Sequence, residues 1–201
     1  MPKTLLQKKK DASRSALQLI NALETALQLI YIPVNYTLIK VDYLEQQDDT
    51  PVWLFRYEKA YTSSNNGLDE EHCSFVVDAL THQLKSITYM IPELANGELP
   101  DSDDAYRVAM SFLDKVAPEL KPTLKLLSVK QHDESIIITT SQSQEIVTIS
   151  GIKVKFIQKD SKAYAWVIVG SNGRVITFER DITWDKVTSR LTEKWLHSGV
   201  A

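Results

Sequence analysis

Leu17, Ile20, Leu23, Leu27 and Ile30 recur every three or four residues, and polar residues fill most of the positions between them. That spacing predicts an amphipathic helix from about Asp11 to Ile30, stopped by Pro33. The period then changes to two. Residues 35–44 are rich in Tyr, Thr, Leu, Ile and Val, which predicts a strand. Trp53, Phe55 and Tyr57 share one face of a second strand, with Arg56 and Glu58 on the other. A polar loop, TSSNNGLDEEH, follows. Cys73, Phe75 and Val77 alternate into Leu80, a turn falls at Thr81-His82, and Leu84 to Met90 returns.

The same succession comes again. Asp101, Ser102 and Asp103 are good N-caps for a helix with a stripe of Val108, Phe112, Leu113 and Val116, closed by Pro118 and Pro122. Leu124 to Lys130 reads as a strand, and residues 131–150 as an added hairpin. Ile152, Val154 and Phe156 alternate with Lys153 and Lys155, which would also guard an exposed sheet edge. Trp166 to Asp181 forms a hairpin about Asn172-Gly173, a dipeptide suited to a two-residue type I′ turn. A last helix is expected over Asp185 to His197, with Val187, Leu191 and Trp195 on one face.

Sliding the first half onto the second supports a duplication. At an offset of 90, Ile20, Leu23 and Glu24 fall on Met110, Leu113 and Asp114. At 99, Trp53, Phe55, Arg56 and Tyr57 fall on Ile152, Val154, Lys155 and Phe156. At 91, Phe75, Val77, Leu84 and Ile87 fall on Trp166, Ile168, Val175 and Phe178. The offset changes fall in polar connections, where a repeat tolerates insertions. The expected fold class is α+β: two similar units, each a helix packed on an antiparallel sheet of three to four strands, plus a C-terminal helix. The units would divide as residues 1–100 and 101–201.

The helix–strand–strand–hairpin order, with Val77-Asp78-Ala79-Leu80-Thr81-His82-Gln83-Leu84 in the hairpin, resembles the PepSY family. His82 stands where that family commonly has glycine. The second unit keeps the hairpin as Val169 to Val175, without the Asp-Ala pair, and AYRVAMSFLDKVAPEL looks like the opening helix of tandem PepSY-like repeats in bacterial proteins. The resemblance covers most of residues 12–180. It implies an inhibitory or regulatory binding module that is not an enzyme, in a family that is mostly extracytoplasmic.

Composition changes this picture little. The chain has 201 residues, 43% hydrophobic and 24% charged, as an ordinary globular protein does. Cys73 is the only cysteine, so no intramolecular disulfide forms. Gln18, Asn21, Glu24 and Gln28 interrupt the apolar part of the N-terminal segment, and no apolar run reaches the roughly 18 residues of a membrane span. A cytoplasmic protein without a membrane span is the expectation.

Charge adds one candidate. The net charge is −3, which does not point to nucleic acid. Residues 15–150 carry nine Lys and Arg against twenty acids, whereas residues 151–201 carry nine against five. This imbalance points to a basic face of Lys153, Lys155, Arg174 and Arg180 as a site for an anionic partner. His72 and Cys73 are adjacent and therefore face opposite sides of a strand, so they cannot act as a pair. No two histidines sit four apart for zinc, and no Gly-rich loop opens a helix. No catalytic residue, metal or cofactor is expected. The function expected is a non-catalytic module that binds a protein, peptide or small ligand between the units or along a sheet. Two alternatives stand beside it: a small hydrolase using Asp78, His82 and Cys73, and a homo-oligomeric structural protein, such as a homodimer.

Overall fold

The computed structural model describes residues 5–47, 50–59, 70–139, 143–185 and 189–190. Helix α1 (Leu5–Leu29) leads into strands β1 (Tyr36–Gln47), β2 (Thr50–Lys59), β3 (His72–Asp78) and β4 (Leu84–Met90). Helix α2 (Ser102–Val116) leads into β5 (Leu124–Thr139), β6 (Gln144–Gln158), β7 (Tyr164–Val169) and β8 (Val175–Ile182). The eight strands make one antiparallel sheet in the order β1-β2-β3-β4-β8-β7-β6-β5. The fold is therefore α+β, with a single large sheet where the pattern predicts two smaller ones.

The seam of that sheet is the β4–β8 pair, in which Ser86, Ile87 and Thr88 face Glu179, Phe178 and Thr177. Two polar contacts reinforce it. The Thr88 and Thr177 hydroxyls meet at 2.9 Å, and Lys85 Nζ donates to Asp181 at 2.5 Å. Ladder partners share a face, so Phe55, Phe75, Ile87, Phe178, Val167 and Val154 form one apolar row across β2, β3, β4, β8, β7 and β6. All six are buried in one core that also takes residues of both helices. Phe55 stacks on Phe75 at 4.8 Å, and Phe112 of α2 meets Phe178 edge-on at 5.7 Å. Trp166 pairs with Lys155 and Glu179, on the opposite face from this row. Aligning Phe75 with Trp166 therefore slips β7 by one residue, and a one-residue slip reverses every side chain. Val167 opposes Phe178 as Phe75 opposes Ile87.

Helix α2 starts as its sequence dictates: the Asp101 carboxylate accepts from the Asp104 amide at 2.8 Å, with Asp103 and Asp104 in the first turn. Its buried residues are Ala105, Ala109, Leu113 and Val116. Helix α1 begins six residues earlier than the pattern indicates and turns a different face to the sheet. Ala22, Ala26 and Ile30 are buried, whereas Leu17, Ile20 and Leu27 are 59, 49 and 40% exposed. Small side chains let a helix approach the sheet closely, so alanines occupy the contact and larger residues flank it.

Several other expectations are corrected. Residues 131–150 are not a separate hairpin: they extend β5 and β6, which pair continuously to Thr139 and Gln144. Lys153 and Lys155 lie on β6, between β5 and β7, so they guard no edge; β1 and β5 are the edges. The Asn172-Gly173 turn has the positive φ expected at both residues, but it closes over Ser171–Gly173 through a Gly170 N–H to Arg174 carbonyl bond at 2.7 Å. Thr81-His82 forms a wider turn, in which Asp78 N–H donates to the Gln83 carbonyl at 2.9 Å. The last helix falls mostly outside the described residues. Where its start is described, β9 (Trp184–Asp185) pairs with β10 (Ser189–Arg190) as a short antiparallel ladder. Among the described residues, no helix is long and apolar enough to cross a membrane.

The extended β5–β6 hairpin is an arm. It leaves the sheet at Gly151, where a Cβ would lie 2.6 Å from the Ile168 side chain and 2.9 Å from that of Ile176. It ends against the first half of the chain. Ile137 bridges Glu70 in parallel, the Thr139 hydroxyl donates to the Glu70 carboxylate, and Ile136 and Ile149 are buried in the common core.

Candidate functional site

Where the first half meets the β7–β8 turn, the structure opens a cleft of about 310 Å³. Its lining comes from the α1–β1 connection (Tyr31, Val34), the start of β1 (Tyr36), the end of β2 (Lys59), the segment after β4 (Ile91, Glu93) and Arg174. The volume is at the small end of the range for ligand sites, which is about 300–1,000 Å³.

The walls are braced. Pro33 and Asn35, the latter at φ 68°, turn the chain from α1 into β1. Tyr31 stacks on Tyr89 at 4.9 Å with nearly parallel rings, and Tyr89 Oη donates to the Tyr31 carbonyl at 3.0 Å. Burial pushes the Tyr89 hydroxyl far above its usual pKa, so it stays protonated as that donor. Arg174 is set by its turn, which is fixed to the other half. Asn172 N–H reaches the Glu98 carbonyl at 3.4 Å, and Gly97, at φ 112°, packs so closely on Ser171 that a Cβ would come within 2.9 Å. From there Arg174 Nη2 donates to Tyr31 Oη at 2.5 Å. On the opposite wall Lys59 lies 3.7 Å from Glu93 and 3.9 Å from Glu71, while Tyr36 Oη donates to Glu71.

The four basic residues singled out from the sequence do not share one face. Lys153 and Lys155 stand over aromatic rings, 4.0 Å from the Trp166 centroid and 4.3 Å from that of Tyr164. Arg180 is bound to Glu119 and Asp181. Of the four, Arg174 alone reaches the cleft. Tyr31, Lys59 and Glu93 carry no distinctive signal in the sequence; they are brought to Arg174 by the β4–β8 seam.

Asp78, His82 and Cys73 do not converge. The Asp78 carboxylate is engaged in its own turn, accepting from Leu80 and Thr81 amides at 2.9 and 2.8 Å. His82 sits in that turn at φ 59°, a left-handed conformation that glycine adopts more readily. Cys73 is wholly buried, on the helix-facing side of β3, and burial pushes its thiol up, away from the reactive thiolate. His72 bonds the Glu70 carbonyl through Nδ1 at 2.7 Å. Among the described residues, no group of three or more His, Cys, Asp or Glu side chains could hold a metal ion. The lining of the cleft thus offers cations, phenols and a carboxylate.

Residues 19–150 match the family described as the YcdB, YcdC repeated domain. No curated protein matches the chain, and no solved structure matches it.

Proposed function

The chain belongs to the YcdB, YcdC repeated-domain family, and from that premise we propose that it is a duplicated, non-catalytic binding module of PepSY-like form. The strand order supports the duplication, since it reads helix-first strand to fourth strand inward from either edge. In this reading residues 1–100 and 101–201 are the two units, merged at their fourth strands. The Val77–Leu84 signature supports the PepSY likeness, because Asp78 there closes the β3–β4 turn with its carboxylate.

One observation carries the binding role: the cleft is assembled from both units, side chains of the first and Arg174 of the second facing each other across a braced joint. A site at the joint of two copies can differ from either copy alone, which gives duplication a use. The ligand would be a peptide, a protein segment or a small molecule.

The test is a photo-crosslinking amino acid in place of Val34, which lines the cleft and is 84% exposed. In cells of the source organism it should yield a discrete adduct, and the same group at Tyr106, on α2, should not. A Val34 variant that is folded but forms no adduct above the Tyr106 control would refute a binding role for this cleft.

A further inference from the structure

We propose that the cleft recognises a carboxylate, gripped by the Arg174 guanidinium beside the Tyr31 ring; this rests on the binding role just given. The argument starts from a comparison within the molecule. Among the arginines whose side chains are described, Arg56 is paired with Glu58 at 2.5 Å, Arg107 with Asp104, and Arg180 with Glu119 and Asp181. Arg174 meets no carboxylate among the described residues. Its polar contact is the Tyr31 hydroxyl, and its guanidinium carbon lies 6.0 Å from the Tyr31 ring centre. A guanidinium presents five N–H donors in a planar fork that matches a carboxylate's two oxygens. One donor is used here, so a bidentate edge remains.

The group is also held in advance. Arg174 springs from a turn fixed to Glu98, and its acceptor Tyr31 is stacked on Tyr89. A donor fork already positioned loses little freedom on binding, which favours a directed contact over diffuse attraction. Lys59 at the other lip is shared between Glu93 at 3.7 Å and Glu71 at 3.9 Å. That leaves Arg174 as the cleft cation that meets no carboxylate among the described residues. The carboxylate could belong to a peptide C-terminus or to a small organic acid.

The experiment is an amide NMR titration of the full ¹⁵N-labelled chain at constant ionic strength. The probes are sodium acetate, sodium chloride, inorganic phosphate, and N-acetyl trialanine with either a free carboxylate or a C-terminal amide. Acetate and the free acid peptide should give saturable shifts at Tyr31, Asn35 and Arg174. Arg174→Gln, with its spectrum otherwise unchanged, should weaken both by roughly tenfold or more, and Lys125→Gln, on the exposed β5 edge, should leave both unchanged. A peptide acid bound about tenfold tighter than acetate identifies a chain terminus as the source; equal binding identifies a small acid. The proposal is overturned if chloride gives the same shifts, if phosphate binds more tightly than acetate, if the amidated peptide equals the acid, or if R174Q binds as well as the parent. A Val34 adduct without a carboxylate response would refute the ligand class while leaving the binding role; absence of both would refute both.

Discussion

Asp181 has a positive φ of 60° and gathers three donors: Lys85 at 2.5 Å, Gln158 at 2.8 Å and Arg180 at 3.1 Å. Burial alone would raise its carboxyl. The charges of Arg180 and Lys85, with the hydrogen bonds from Lys85 and Gln158, outweigh burial and hold it below the ordinary 3.8. A carboxyl depressed in the folded state contributes stability that is present above its unfolded pKa and lost as pH falls through the folded one. Asp181→Asn keeps a residue type that accepts positive φ. It should cost about 1–2 kcal/mol at pH 7, discounted because the side chain is a third exposed. Urea denaturation should show the gap between parent and variant closing below about pH 4. A constant gap would mean that the ionised carboxylate is not what matters. Gly151 makes a second residue-scale case. The Ile168 and Ile176 side chains already fill the space that a Cβ there would need. Gly151→Val should therefore destabilise by about 1–3 kcal/mol through overpacking, seen as a lower urea midpoint.

At the scale of elements, the arm gives the clearest prediction. Ile136 is 2% exposed, on a stretch of β5 that has β6 on one side and otherwise reaches across to Glu70. Ile136→Ala should cost about 2–5 kcal/mol if the arm is packed. Hydrogen exchange should then speed up both in residues 131–150 and at His72 and Met90, which pair at the near end of the first half. Faster exchange in the arm alone would show it to be an independent hairpin. Elements are unequally legible in the sequence, for physical reasons. The start of α2 is readable because capping is local: Asp101 and Asp104 are three residues apart. The facing side of α1 is not, because periodicity marks the largest apolar residues while close packing selects Ala22 and Ala26. The arm is hidden because a strand that continues and a strand that starts anew have the same alternation. The cleft is the least legible of all: Arg174 and Tyr31 are 143 residues apart, and only the seam brings them together.

At the scale of the molecule, residues of both helices and all eight strands of the sheet contribute to or pack against one apolar core. Thermal unfolding should therefore be a single cooperative transition. Single-tryptophan variants reporting from Trp53, in the first half, and Trp166, in the second, should give coincident midpoints, as should far-UV circular dichroism. Two separated transitions would show that the halves melt as independent bodies in spite of the shared sheet.

The docking of the arm on Glu70 has a consequence for the order of events on the ribosome. A chain emerging from its N-terminus presents β3 and β4 long before Ile136 and Ile149 exist to cover their neighbours. The nascent first half must wait, partly uncovered, while the later hairpin is translated. Sheet pairings of such long sequence separation form slowly, and the waiting intermediate exposes strand edges to other chains. Synthesis of a fragment stopped before residue 131 should accordingly give a product that a holdase chaperone retains and that the finished protein escapes.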